Sequence, residues 1–93
     1  MAITAGYEED RHKVEKVLIE GIKKVPEVLE DPQPYVWISK FQDYAVEYRV
    51  FAFITDIKNM PRIDSDLHKA VLDAVTKANI DISTPLLHRK LTD

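Results

Sequence analysis

From Tyr44 to Thr55 the chain alternates. Val46, Tyr48, Val50, Ala52 and Ile54 fall on one side of an extended strand, and Glu47, Arg49, Phe51 and Phe53 fall on the other. The first set is the more continuous apolar face, so it predicts the core side. Tyr35-Val36-Trp37-Ile38-Ser39 forms a second arm, equally rich in β-branched and aromatic residues that suit a pleated, half-buried surface. Lys40-Phe41-Gln42-Asp43 is a short polar link, so the two arms read as a β-hairpin with the second strand over Tyr44–Thr55.

A helical pattern lies on each side of the hairpin. Val14, Val17, Leu18, Gly21, Ile22 and Val25 recur at three- and four-residue spacing, opposite a face of Lys13, Lys16, Glu20, Lys23 and Lys24. Glu8, Glu9 and Asp10 start this helix and complement the positive end of its dipole, while Pro26 ends it near Lys24 or Val25. The second helix begins with Asn59 as cap and Pro61 in its first turn. Its buried stripe is Leu67, Ala70, Val71, Ala74, Val75 and Ala78, with the small alanines letting the backbone approach the sheet. Asn79 stands where a left-handed residue closes a helix. Ile3–Tyr7 and Ile80–Ile82 predict a first and a last strand, and Asp31-Pro32-Gln33-Pro34 a stiff turn before the hairpin.

The order β-α-β-β-α-β predicts an α+β, ferredoxin-like fold: a four-stranded antiparallel sheet with both helices on one face. All 93 residues form one domain, with a tail at 86–93. The first strand is expected to begin almost at residue 1, which suggests a chain cut from something longer.

Composition narrows the function. A hydrophobic content of 45% with 31% charged residues is that of a folded chain, and no apolar run reaches the ~20 residues of a membrane span. A net charge of −3 argues against a nucleic-acid partner and against docking on anionic lipid. Without cysteine there is no disulfide framework and no thiolate metal site.

Candidate chemistry is sparse. His12, His68 and His88 have no ligand spacing between them, and Asp64 and His68 predict only a helix-surface pair. Ser39, Ser65 and Ser83 lack a nucleophile elbow or triad partners. Gly6 and Gly21, the two glycines, build no phosphate-cradling loop. No catalytic, cofactor-binding or metal residue is assigned, and no cofactor. Trp37, Phe51 and Phe53 differ from the aromatics of an RNA-recognition motif, because the surrounding strand lacks that motif's glycines and basic residues. They are core, or the covered side of a contact with a neighbouring domain or subunit.

The order of several short motifs resembles a known family. Tyr7-Glu8-Glu9-Asp10 before the first helix resembles the V-x-Y-x-x-D start of the C-terminal α/β domain of small-conductance mechanosensitive channels, the MscS family. Pro32-Gln33-Pro34-Tyr35-Val36 leading into a strand, and the Arg49-Val50-Phe51-Ala52 strand end, fit the same pattern. Ala78-Asn79-Ile80-Asp81-Ile82-Ser83-Thr84-Pro85 matches the family's A-G-I-x-I-P-x-P with two departures: Asn79 for glycine, and Ser83-Thr84 for proline and an aromatic.

The resemblance covers about Ile3 to Leu87 and implies a non-enzymatic domain of a tension-gated channel that releases osmolytes after hypo-osmotic shock. It implies a place on the cytoplasmic side of the inner membrane, as part of an integral membrane protein, without direct membrane contact by this domain. Homo-oligomerisation as a heptamer, with membrane and β domains upstream, belongs to the same expectation. Phe51, Phe53, Leu86, Leu87 and Leu91 are then candidate interface residues, the leucines on an oligomer strand. A free-standing ferredoxin-like module for a small metabolite is the alternative on the residues alone.

Overall fold

The computed structural model describes residues 1–82. It is α+β, with β1 (Ala2–Gly6), α1 (Arg11–Lys23), β2 (Tyr35–Phe41), β3 (Ala45–Phe51) and α2 (Met60–Lys77). The strands form one antiparallel sheet in the order β1-β3-β2. Ala5, Val46, Tyr48 and Val50 from the sheet meet Val14, Leu18 and Ile22 of α1 and Val71 and Val75 of α2 in one core. Both helices therefore cover the same face, as the alternation of Val46, Tyr48 and Val50 predicts.

Local chemistry sets the helix ends. The Asp10 carboxylate accepts from the His12 amide at 3.0 Å, so Asp10 is the cap and Glu8 and Glu9 precede the helix. The α1 helix stops at Lys23, two residues short of the Val25–Pro26 bond. Asn59 begins α2 without capping through its side chain, whose amide donates instead to Asp56 at 2.7 Å. At the other end Asn79 has φ 58°, the left-handed conformation asparagine tolerates. The Ile80 amide reaches the Val75 carbonyl at 2.9 Å and the Asn79 amide reaches Thr76 at 3.2 Å. This Schellman closure buries Ile80 beside Val75.

Among the described residues the sheet has three strands. Ile80–Ile82 runs beside β1 but is held by side chains: the Thr4 hydroxyl donates to the Ile82 carbonyl, and the Asp81 amide to the Glu9 carboxylate, each at 3.4 Å. The alanines of α2 approach α1, not the sheet. A β-carbon added at Gly21 would lie 2.9 Å from Ala74 Cβ and 3.2 Å from the Ala70 carbonyl oxygen, so these three small residues set the helix crossing. Ile63, outside the predicted stripe, is fully buried.

The hairpin is also redistributed. Its β2 arm continues to Phe41, Gln42–Tyr44 make the turn, and the Gln42 amide donates to Ala45 at 2.8 Å. The second arm leaves the ladder after Phe51, and the Leu29 amide takes the Phe53 carbonyl at 2.8 Å.

Candidate functional site

The face of the sheet opposite the helices is open, and its character follows from strand register. Tyr35 stands opposite Phe51 and Trp37 opposite Arg49, so all four side chains share the outer face. A β-bulge then places Ser39 as an extra residue between Ile38, opposite Tyr48, and Lys40, opposite Glu47. The bulge changes the phase of β2. It turns Lys40 onto the outer face beside Glu47 and turns Phe41 to the core side, beyond the cover of the helices, where it is 72% exposed and stacked on Tyr7.

The outer face thus has an aromatic half and a polar half. Tyr35 stacks on Phe51 with ring centroids 4.8 Å apart and 16° between planes. Trp37 packs against both, 5.4 Å from Tyr35 and 5.0 Å from Phe51, and Phe53 lies 6.2 Å from Tyr35. Offset and tilted pairs of this kind each add about 0.5–1.5 kcal/mol beyond their area. The four rings hold one another in place, yet Trp37 remains 59% exposed and Phe53 38%.

In the polar half the Ser39 hydroxyl donates to the Glu47 carboxylate at 2.6 Å, and Arg49 Nε lies 3.6 Å from the same carboxylate. The Ser39 hydrogen bond, with Lys40 and Arg49 nearby, holds the Glu47 carboxyl below its ordinary pKa. Beneath this face, burial pushes the Tyr48 phenol above its ordinary pKa, so Tyr48 serves the core as a neutral ring.

The expected interface residues are thereby divided. Phe51 and Phe53 are brought together on the outer face; Leu86, Leu87 and Leu91 lie outside the described residues. Trp37 is not core. It is the most exposed ring of the cluster. Tyr35, the ring that touches the other three, was missed as a site residue, although its two-residue step to Trp37 marks both for one face.

Elsewhere, His12 and His68 are exposed, and His88 and Ser83 lie outside the described residues. His68 Nδ1 is 2.7 Å from the Asp64 main-chain oxygen and 3.6 Å from its carboxylate. A cleft of about 210 Å³ runs between α1 and α2, lined by Gly21, Lys24, Ala74 and Lys77 among others, and one of about 240 Å³ adjoins Leu29. Among the described residues no group of histidine and carboxylate side chains is arranged to hold a metal. No described helix is long and apolar enough to cross a membrane.

What the structure offers is an exposed surface of rings and charges. No curated protein matches the sequence. A family model does match, described as the C-terminal region of the mechanosensitive ion channel MscS, and the match spans residues 1–82. This covers every described element, from β1 to the closure of α2, and the chain belongs to the MscS C-terminal domain family.

Proposed function

We propose that this domain is the cytoplasmic assembly module of a mechanosensitive channel subunit, forming part of the wall of a vestibule through which osmolytes leave after hypo-osmotic shock. The family match over residues 1–82 carries the reading, since the family is described as the C-terminal region of a mechanosensitive ion channel. The uncovered aromatic face supports an assembly role, because exposed clusters of large rings mark surfaces that another protein surface covers. In this reading the subunit forms a homo-oligomer, a heptamer as the family resemblance implies. Leu86, Leu87 and Leu91 contribute a strand at its base, and the pore and tension-sensing helices lie upstream. Ile80–Ile82 beside β1 supports a fourth strand completing a ferredoxin-like sheet in the assembled channel.

The test compares the full-length parent subunit with one truncated before this domain, in cells that lack their own mechanosensitive channels. Full-length protein is expected to restore survival after hypo-osmotic shock and to give tension-activated currents. The truncated subunit is expected to lose both, together with the assembled oligomer. Equal survival, currents and assembly from the truncated subunit would overturn the proposal.

A further inference from the structure

Three hydrogen bonds fix which backbone groups of the sheet face which way. The Val50 amide donates to the Met1 carbonyl at 2.8 Å, and Met1 N lies 3.3 Å from the Val50 carbonyl, so Val50 turns its backbone to the β1 side. Backbone direction alternates along a strand, so Glu47, Arg49 and Phe51 turn theirs to β2. Ala45 does the same, since its carbonyl accepts from the Gln42 amide at 2.8 Å. Tyr35 and Trp37, opposite Phe51 and Arg49, therefore bond to β3. Val36 and Ile38 aim their N–H and C=O groups the other way, and among the described residues no strand lies beyond β2.

This open edge is short and unguarded. Sheet edges are commonly protected by charges, proline or bulges. Here Pro34 and the Ser39 bulge bound the edge, and Tyr35–Ile38 between them carries no charge. Trp37 is 59% exposed and Ile38 36%. The edge is also self-complementary. Antiparallel pairing with a second β2 sets Val36 of each copy opposite Ile38 of the other, so both residues with open groups find partners. A shift of two residues, the smallest that keeps side chains on their faces, loses this match in either direction. One way Ile38 meets Pro34, which has no N–H to donate; the other way Val36 meets Lys40, whose backbone is turned to Glu47.

The matched register sets Trp37 directly opposite Trp37 of the second copy, on the outer face, where opposed β-carbons lie about 4.5–5.5 Å apart. Lys40, the one charge in β2, falls at the level of Pro34 and well away from its own copy, so no like charges are opposed.

We propose that the β2 edge is a self-association site, at which two copies of this domain pair antiparallel about a two-fold axis at Trp37 and join their sheets into one. The contact goes beyond the channel reading and does not depend on it. Neighbours around a seven-membered ring are not related by two-fold axes, so the pair joins subunits that are not neighbours in one ring. Phe51 and Phe53, one strand further in, stay outside the seam. The contact is much smaller than a standard interface of about 1,600 Å², so pairing is weak and concentration-dependent.

Sedimentation of the 93-residue chain is expected to move from monomer towards dimer between about 10 µM and 1 mM. Ile38→Pro removes an edge N–H that takes no part in the β3 ladder, and this variant should stay monomeric over that range. The chain contains no cysteine, so Trp37→Cys and Phe41→Cys each introduce a single exposed thiol. Under a mild oxidant the Trp37→Cys chain should form covalent dimers at least about tenfold faster than the Phe41→Cys chain, whose thiols the register holds far apart. This comparison decides the matter even if Ile38→Pro fails to fold.

A chain that stays monomeric and cross-links equally slowly at both positions would overturn the proposal. A dimer that survives Ile38→Pro, with both thiols reacting alike, would overturn it in favour of another face. Dimerisation seen only after removal of residues 83–93 would overturn it in favour of the tail as the occupant of the edge. None of these results bears on survival or currents of the full-length subunit, by which the channel reading is judged.

Discussion

Single side chains tie segments together at two places where their ionisation can be followed. Arg62, in the first turn of α2, donates to Glu27 at 2.7 Å and to Asp66 at 2.8 Å, and so fastens the α1–β2 connection to α2. The Arg62 hydrogen bond holds the Glu27 carboxyl below its ordinary value of 4.5. A depressed carboxylate stabilises the fold above its unfolded pKa and loses that contribution as pH falls through the folded one. Arg62→Gln is therefore expected to lower the urea midpoint at pH 7, and the gap from the parent should close below about pH 4.5. Urea titrations at a series of pH values check this, and a constant gap would show that Arg62 acts by packing alone. Ser39→Ala makes a second prediction. It removes the main donor to Glu47, so the Glu47 carboxyl should titrate closer to its ordinary value, as read by carboxyl NMR.

At the scale of elements, small residues and one left-handed residue decide how the helices sit. Gly21→Val inserts atoms where a single β-carbon already lies 2.9 Å from Ala74 Cβ, and neither Ala74 nor the Ala70 carbonyl can swing away. Overpacking of this kind costs about 1–3 kcal/mol, measured as a lower urea midpoint with an unchanged slope. At Asn79, φ 58° favours glycine, so Asn79→Gly should hold or raise stability while Asn79→Val loses about 1–2 kcal/mol. Both helices, the hairpin and this cap were legible because each has a local cause: apolar spacing, Asp10 and Pro26, paired β-branched arms, and an asparagine after the last turn. The helix-to-helix role of Ala70 and Ala74 was not, since periodicity shows that a face is apolar but not what it meets. The Ser39 bulge was hidden for a similar reason. It is a relation between two strands, and without it Lys40 and Phe41 are assigned to the wrong faces. The end of β3 at Phe51 depends on Leu29, more than twenty residues upstream, claiming the Phe53 carbonyl.

Across the whole molecule, the aromatic residues divide into two populations that the sequence alone does not separate. Tyr48 is enclosed by both helices, whereas Trp37, on the neighbouring strand, projects to the other side of the same sheet. In the channel reading, the first ring serves folding and the second serves contact, and stability should tell them apart. Tyr48→Ala is expected to cost about 3–5 kcal/mol, since it empties the centre of the core. Trp37→Ser should leave the urea midpoint of the 93-residue chain nearly unchanged, within about 0.5 kcal/mol, because most of the ring is already in water. The same Trp37→Ser change in the full-length subunit should reduce the yield of assembled channel, read by native mass spectrometry. A large loss of stability in the isolated chain would mean that the ring cluster props up the sheet by itself. A stable chain with impaired assembly would mean that this face was kept apolar for a surface outside the domain.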